Sequence, residues 1–433
     1  MAKVAKKINI ITLGCSKNVV DSEQFAVQAS IAGFEVVHNS DEIDFNIAVV
    51  NTCGFINDAK EESINMIFQL VILKNSGKLE KIIVFGCLAQ RYMNELKAEI
   101  PEVDVFCGNY NLKELLNLID ADFNETHKHD RILDSPGHYA YLKIAEGCNR
   151  KCAFCAIPLI KGNYVSRPKT DILEEAQMLA SKGVKELIII AQDISYYGYD
   201  IDKKLHLPEL VEELSKIEDI KWIRLHYLYP FLFPENLLDI IANNPKVCNY
   251  IDIPLQHISD NVLKAMNRGA TKKQTLDLLT KMRKKLPDAT FRTTMLVGHP
   301  TETDEDFNEL LEFVKEFKFD KLGVFTYSEE EGTSAAKNYN DDISEDVKNS
   351  RADILMDTQR EISLSLNSLK LNKTLRVIVD EFDGEMYYGR SQYDSVEVDG
   401  EVVFTSDTEL FAGDFCDVII TAFDEYDLFG EKK

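Results

Sequence analysis

The sequence predicts an α/β protein in three units: an N-terminal doubly wound parallel sheet, a central partial (β/α) barrel and a C-terminal small all-β barrel. Three observations carry that expectation. Short apolar runs alternate with amphipathic stretches as far as Ile119. The alternation resumes as six βα units after a polar, turn-rich interruption. Beyond Lys370 it gives way to short runs rich in Val, Tyr and Phe, broken by glycines. The domain limits read from these changes are 1–122, a linker over 123–137, 138–368 and 369–433.

In the first unit, Ile8–Leu13, Ile47–Val50 and Ile82–Phe85 read as strands, and the segments near Asp21–Ala32, Ala59–Leu73 and Asn111–Ile119 as helices. The loop after each strand carries a cysteine, Cys15, Cys53 and Cys87 in turn. Ligand sites in such sheets lie outside the carboxyl ends of the strands, so the three loops can converge. On the residues alone, a metal cluster and ordinary buried thiols both remain open readings of this trio. The linker contains Asp134-Ser135-Pro136-Gly137, which is turn chemistry.

Six strands follow, at Tyr139–Ala145, Glu186–Ala191, Trp222–Tyr227, Tyr250–Ile253, Thr290–Val297 and Leu322–Phe325. Complete closure usually takes eight, so the barrel is expected to be partial. A long helix is expected from about Glu345 to Lys370. After it, Gly384, Gly389, Gly400 and Gly413 punctuate short strands in the manner of a small barrel.

Composition bounds the function. A chain of 433 residues, 45% apolar, can bury more than one core. No run approaches the ~18 apolar residues of a membrane span. Met1–Lys7 is basic and precedes Ile8–Leu13 and Gly14-Cys15, but the run is short and holds Asn9 and Thr12, so it is not an export signal. A cytoplasmic protein is expected. Nine cysteines, an odd number with clustered members, point to metal or redox chemistry rather than to a disulfide framework. A net charge of −24 opposes broad nucleic-acid binding, which needs Lys and Arg against phosphates, and favours a basic partner.

The sharpest local signal is Cys148-x3-Cys152-x2-Cys155, three soft thiolates in one loop after the first barrel strand. A structural zinc site needs a fourth protein ligand, normally in a second close pair, and there is none. Three thiolates suit a 4Fe-4S cluster with one open iron. That iron can be chelated by the amino and carboxylate groups of S-adenosyl-L-methionine (SAM), whose sulfonium bond an electron then cleaves.

The motif Glu146-Gly147-Cys148-Asn149-Arg150-Lys151-Cys152-Ala153-Phe154-Cys155-Ala156-Ile157-Pro158 resembles that of the radical SAM methylthiotransferases. The resemblance continues through Thr12-Leu13-Gly14-Cys15-Ser16-Lys17-Asn18, Asp21-Ser22-Glu23 and Asn51-Thr52-Cys53-Gly54-Phe55, and covers essentially the whole chain. It implies a radical SAM barrel, a TRAM-like C-terminal barrel, and a second 4Fe-4S cluster on Cys15, Cys53 and Cys87. Within the family, Arg224-Leu225-His226-Tyr227-Leu228-Tyr229-Pro230, Ile253-Pro254-Leu255-Gln256-His257-Ile258-Ser259 and Gly389-Arg390-Ser391 resemble the RimO group. Asp394-Ser395-Val396-Glu397-Val398-Asp399-Gly400 does too, although that group usually has proline at the position of Val396.

The resemblance implies methylthiolation of the β-carbon of an aspartate in small-subunit ribosomal protein S-twelve, using two SAM molecules and an external electron donor. It also points to Phe154, Gln192, Asp193 and Gly298 as SAM contacts. Gly298-His299-Pro300-Thr301 departs from the usual Phe and Gly at His299 and Thr301, and Lys161 stands where arginine is usual; Lys161 is assigned no role. His226 and His257 are read as merely hydrogen-bonded, and Cys107, Cys248 and Cys416 as buried.

Charge separates the target classes. From Asn372 to Lys433, sixteen acidic residues stand against five basic ones, a net of −11. An RNA-binding barrel should be basic, whereas an acidic one attracts a basic ribosomal protein, so direct RNA binding and membrane attachment are not expected. The rivals are a transfer-RNA methylthiotransferase and a non-catalytic iron-sulfur carrier.

Overall fold

The computed structural model describes residues 6–54, 57–134 and 136–433. Met1–Ala5, Phe55 of the second cysteine motif, Ile56 and Ser135 of the linker turn lie outside the described residues. The first sheet holds five parallel strands, β1 (Lys7–Thr12), β2 (Glu35–His38), β3 (Ile47–Thr52), β4 (Lys81–Gly86) and β5 (Val105–Phe106), in the order β2-β1-β3-β4-β5. Strand β3 is buried along its whole length, as a parallel strand covered on both faces must be. Two of the five strands were not expected from the sequence: β2 is a half-exposed edge strand bounded by Glu35 and His38, and β5 has only two residues.

Helices α1 (Ser16–Ile31), α2 (Asn57–Asn75), α3 (Cys87–Arg91), α4 (Met93–Glu99) and α5 (Leu112–Asn117) cover this sheet. One apolar core is built around Ile67, Leu70 and Val84, the other around Phe25, Val49 and Leu115. Helix α1 starts five residues before the predicted Asp21, because its polar first turn is buried at a domain junction rather than at the surface.

The linker is no loose tether. Arg131 is fully buried and donates to Glu23 of α1, to the Tyr141 carbonyl at 2.6 Å and to Glu175 at 3.0 Å. One guanidinium thereby holds the first two domains together.

The central domain contains β6 (Tyr139–Lys143), a two-stranded antiparallel pair β7 (Ala145–Glu146) and β8 (Val165–Ser166), then β9 (Glu186–Ile190), β10 (Trp222–Leu225), β11 (Tyr250–Asp252), β12 (Thr290–Val297) and β13 (Lys321–Thr326). The six parallel barrel strands form two triplets, β10-β9-β6 and β11-β12-β13, with an isolated bridge from Ile223 to Val247 beside the seam. The first strand stops at Lys143, short of the predicted Ala145, because Ala145 and Glu146 turn away to pair with Ser166 and Val165. The long helix spans Glu345–Ser368, capped by the Ser344 side chain.

The C-terminal strands β14 (Thr374–Phe382), β15 (Tyr387–Ser391), β16 (Val402–Thr405), β17 (Phe415–Phe423) and β18 (Leu428–Lys432) close into a barrel in the order β14-β15-β16-β18-β17, around Val377, Val402, Phe404 and Val418. Its loop 392–399 enters the central barrel from the amino ends of the strands. Arg224 pairs with Glu186 at 2.7 Å and donates to the Gln392 carbonyl at 2.9 Å. Ser395 Oγ lies 2.8 Å from His226 Nε2, and the Tyr250 hydroxyl donates to Asp399 at 2.6 Å. Val396 packs with Tyr139, Tyr141 and Ile188 and with Val20 of α1, so all three domains meet there. Part of the tail's acidity is internal: Asp380, Asp394 and Asp399 face Arg390, Lys321 and Arg292. Asp383, Glu385, Asp407, Glu409 and Asp417 remain exposed.

Candidate active site

In a sheet ordered 2-1-3-4-5 the crevice opens between β1 and β3, where the chain reverses direction across the sheet. Cys15 stands at the end of β1 as the N-cap residue of α1, and Cys53 follows β3. Cys87 opens α3 directly after β4, so it sits on a helix and not in the expected loop. The turn at Cys15 is pinned by Asn18, which donates to the Leu13 carbonyl at 2.7 Å, while Asn51 donates to the Asn18 carbonyl at 2.9 Å. Gly14 has φ +93°, and a Cβ there would lie 2.5 Å from Cys53 Cβ. Cys15 is exposed, Cys53 half-buried and Cys87 buried, and burial pushes the Cys87 thiol up to about 12.

The second trio lies on the loop from β7 to helix α6 (Ile157–Lys161). Backbone bonds fold that loop: Cys148 N–H to the Gly162 carbonyl at 3.1 Å, Cys155 N–H to the Cys152 carbonyl at 3.1 Å, and Ala153 N–H to the Met266 carbonyl at 2.8 Å. Arg150 pairs with Asp193 at 2.7 Å and lies over the Tyr229 ring. Arg268 donates to Cys152 Sγ at 3.2 Å and to the Pro254 carbonyl at 2.5 Å. Sequence reasoning missed Arg268, since it sits in an inter-helix turn with no motif around it. Burial pushes the Cys148 thiol to about 11 and Cys155 to about 12, so both favour deprotonation only when a metal takes the sulfur.

The spacing of the sulfurs tests what the trios can hold. Among the described residues, His129, Asp171 and Glu174 are the one group of potential ligands whose atoms all fall within 4.8 Å of one another; neither cysteine trio is that compact. One tetrahedral ion with metal-sulfur bonds of about 2.3 Å would draw its thiolates to about 3.8 Å apart. Three thiolates set wider than that do not meet around one ion as they stand, and thiolate sulfur is the ligand type that iron-sulfur clusters take.

The two trios belong to facing elements. Helix α3 packs on α6 through Cys87, Ala156 and Ile160. Beside this contact runs a buried charge network: Lys143 pairs with Asp21 and with Glu146 at 2.9 Å, and Lys161 lies 3.8 Å from Glu146. Lys161, given no role above, is thus a nearly buried cation near Cys87, and its charge lowers the cost of a thiolate there.

Around the second trio, Phe154 packs with Met266, Leu296 and Tyr327. Gln192 donates to Glu146 at 3.1 Å, while its Oε1 is buried without a hydrogen-bond partner among the described residues. The Asp193 carboxylate accepts from both Arg150 and the Ser195 N–H. Gly298, at φ +76°, lies under Lys348 and donates its N–H to Glu302 at 2.9 Å. His299, where phenylalanine is usual, stands edge-on to Tyr327 and Tyr339, so an aromatic slot is kept. His226 is bonded to Ser395, and burial pushes His257 down to about 3, with its Nδ1 accepting from the Ser259 N–H. Burial keeps both neutral. Cys107, Cys248 and Cys416 are buried in apolar clusters.

Comparison with known proteins agrees with this architecture. The profile of the radical SAM superfamily matches residues 142–314, that of uncharacterized protein family UPF0004 matches 7–108, and that of the TRAM domain matches 373–432. The radical SAM methyltransferase TsrM from Kitasatospora setae shares the fold, with a TM-score of 0.53 at 13% identity over 77% of both chains. The cobalamin-dependent radical enzyme OxsB does so with a TM-score of 0.52 at 11% identity, over 83% of this chain and 56% of that one. Sequence relatives are much nearer. A ribosomal protein uS12 methylthiotransferase RimO from Bacteroides fragilis is 52% identical over 98% of this chain and 99% of its own. Those of Phocaeicola vulgatus and Flavobacterium johnsoniae are 52% and 49% identical, each over 98% of both chains. With the cysteine trios in place on facing elements, identity at this level and coverage means that the chain belongs to the RimO family of methylthiotransferases.

Proposed function

We propose that this chain acts as a methylthiotransferase on ribosomal protein uS12, adding a methylthio group to the β-carbon of an aspartate. The observation that carries the reading is the packing of Cys87 on Ala156 and Ile160, which sets one cysteine trio against the loop of the other. In this reading Cys148, Cys152 and Cys155 hold a 4Fe-4S cluster, and Cys15, Cys53 and Cys87 hold a second one. SAM lies against Phe154, Gln192, Asp193 and Gly298. When bound, these groups supply a carbon-centred radical and the methylthio sulfur.

The protein's own residues prepare the ground. The orphaned Gln192 Oε1 offers an acceptor to an ammonium, and the apolar group around Phe154 offers a face to a purine. Asp193 acts through Arg150, a member of the cysteine loop, which it holds over Tyr229 and so helps fix that loop. The exposed carboxylates of the C-terminal barrel favour a basic protein partner over RNA, and an external donor provides the electron. Among the described residues no helix is long and apolar enough to cross a membrane.

The test is anaerobic reconstitution followed by incubation with reductant, SAM and uS12, with mass spectrometry of nucleoside and protein products. Deoxyadenosine together with methylthiolated aspartate, both lost in Cys152→Ala, is the expected result. Deoxyadenosine without protein modification would redirect the search to transfer RNA. Neither product, from protein holding both clusters, would support a cluster carrier.

A further inference from the structure

Five charged side chains cluster beside the cysteines: Lys17, Asp21, Lys143, Glu146 and Lys161. Two carboxylates therefore face three ammonium groups. Asp21 and Glu146 are taken by Lys143, and Glu146 also by Lys161 and Gln192. Lys17 is left over. It is about nine-tenths buried, yet among the described residues no carboxylate comes within ion-pair distance of its Nζ. Its partner is Tyr227, whose ring centroid lies 3.7 Å from the ammonium and whose side chain hydrogen-bonds with it, while Cys15 and Glu146 act on it only as nearby charges. A buried ammonium with no carboxylate in pairing distance is costly, and an anionic ligand brought to it would offset that cost.

Its surroundings suit an anionic ligand. Lys17 lies in the first turn of α1, two residues after Cys15, where helix N–H groups lack intrahelical acceptors. Tyr227, its platform, follows the carboxyl end of β10 with φ +65°, a conformation uncommon for a residue with a side chain. That backbone is held by Asp252, which accepts from the Tyr227 N–H at 2.8 Å, and by the Ile194 N–H, which donates to the Tyr227 carbonyl at 3.2 Å. The fold thus fixes an aromatic face under an ammonium that, among the described residues, no carboxylate pairs with.

We propose that the Lys17 ammonium binds the side-chain carboxylate of the substrate residue, placing the adjacent β-carbon between the two trios and selecting an aspartate over a neutral side chain. This rests on the reaction proposed above. Tyr227 acts as a positioning residue, keeping the ammonium from turning away.

The test uses reconstituted full-length protein with SAM but no reductant, and measures binding of labelled uS12 and of uS12 carrying asparagine at the modified aspartate. A charge-assisted hydrogen bond of this kind should give the wild type about a tenfold preference for the aspartate form. In Lys17→Met, whose stem can still cover Tyr227, the preference should fall to about one, and Lys17→Arg should restore part of it. Iron content per chain is measured alongside. A tenfold preference surviving in Lys17→Met would overturn the proposal while leaving the reaction intact. Equal weakening of both uS12 forms, with loss of iron, would also overturn it and assign Lys17 to balancing cluster charge. A wild type that leaves uS12 unmodified in a parallel reaction supplied with reductant would overturn both readings together.

Discussion

Arg268 and Cys152 are 116 residues apart in sequence and 3.2 Å apart in space, the guanidinium donating to the sulfur while its other arm is fixed on the Pro254 carbonyl. A cation held on one ligand stabilises the more negative, reduced state of whatever the trio binds. Arg268→Met should therefore lower the reduction potential of the cluster by about 60 mV, the one-electron equivalent of a hydrogen bond worth about 1.4 kcal/mol. An anaerobic redox titration followed by electron paramagnetic resonance reads this. An unchanged potential would mean that the contact is purely structural.

Gly14→Ala should separate the two trios. The substitution places a Cβ at 2.5 Å from Cys53 Cβ and 2.9 Å from its sulfur, at a φ of +93° that alanine resists. Iron should fall from about eight to about four atoms per chain, with the Cys148 trio still loaded. Iron analysis with Mössbauer spectroscopy distinguishes this from a general loss of folding.

Arg131→Met leaves Glu23 buried without its cation and Glu175 with only Arg167. Breaking a buried pair from one side costs about 3–5 kcal/mol. Because the arginine ties the linker to both domains, denaturation should split into two transitions, the N-terminal sheet separating first. A single transition at the wild-type midpoint would refute this.

Acid should loosen the C-terminal barrel before the core. Asp394 loses solvation on burial, but Lys321 at 3.1 Å and Lys370 outweigh that and hold its carboxyl at about 2. An unfolded aspartate titrates near about 3.9, so the folded pKa is depressed; the stabilisation is complete above about 3.9 and is lost as pH falls towards about 2. It amounts to about 2–3 kcal/mol at neutral pH. Asp394→Asn should be less stable than the wild type by roughly that amount at pH 7, and the gap should close between about pH 4 and pH 2. Urea titrations at several pH values measure it.

What the sequence disclosed depended on whether the cause was local. The placement of six cysteines, three in one loop and three after successive strands, was legible because offsets and strand ends are local features. Strands β3, β4 and β12 were legible because both of their faces are buried. Edge strand β2 and the two-residue β5 carry no comparable run. The polar start of α1 was misread for the opposite reason: Lys17 and Asn18 look like surface residues until a second domain covers them. Arg268, Tyr229 and Arg131 gain their meaning from partners far along the chain, which no periodicity records. The tail's acidity was read as a docking charge; three of its carboxylates instead face cations within the molecule, two of them on the central domain.

Loop 392–399 makes the C-terminal domain a stopper in the floor of the barrel. Such domains are attractive units for recombination, since exchanging one for a relative's is a direct way to seek a new client. Here the exchange would pull a plug as well as change a label. Removing Val396 and Ser395 would strip the cover from Tyr139, Tyr141 and His226 and undo the meeting point with Val20. A workable chimera must keep this loop with the barrel it seals and graft only the outward-facing strands.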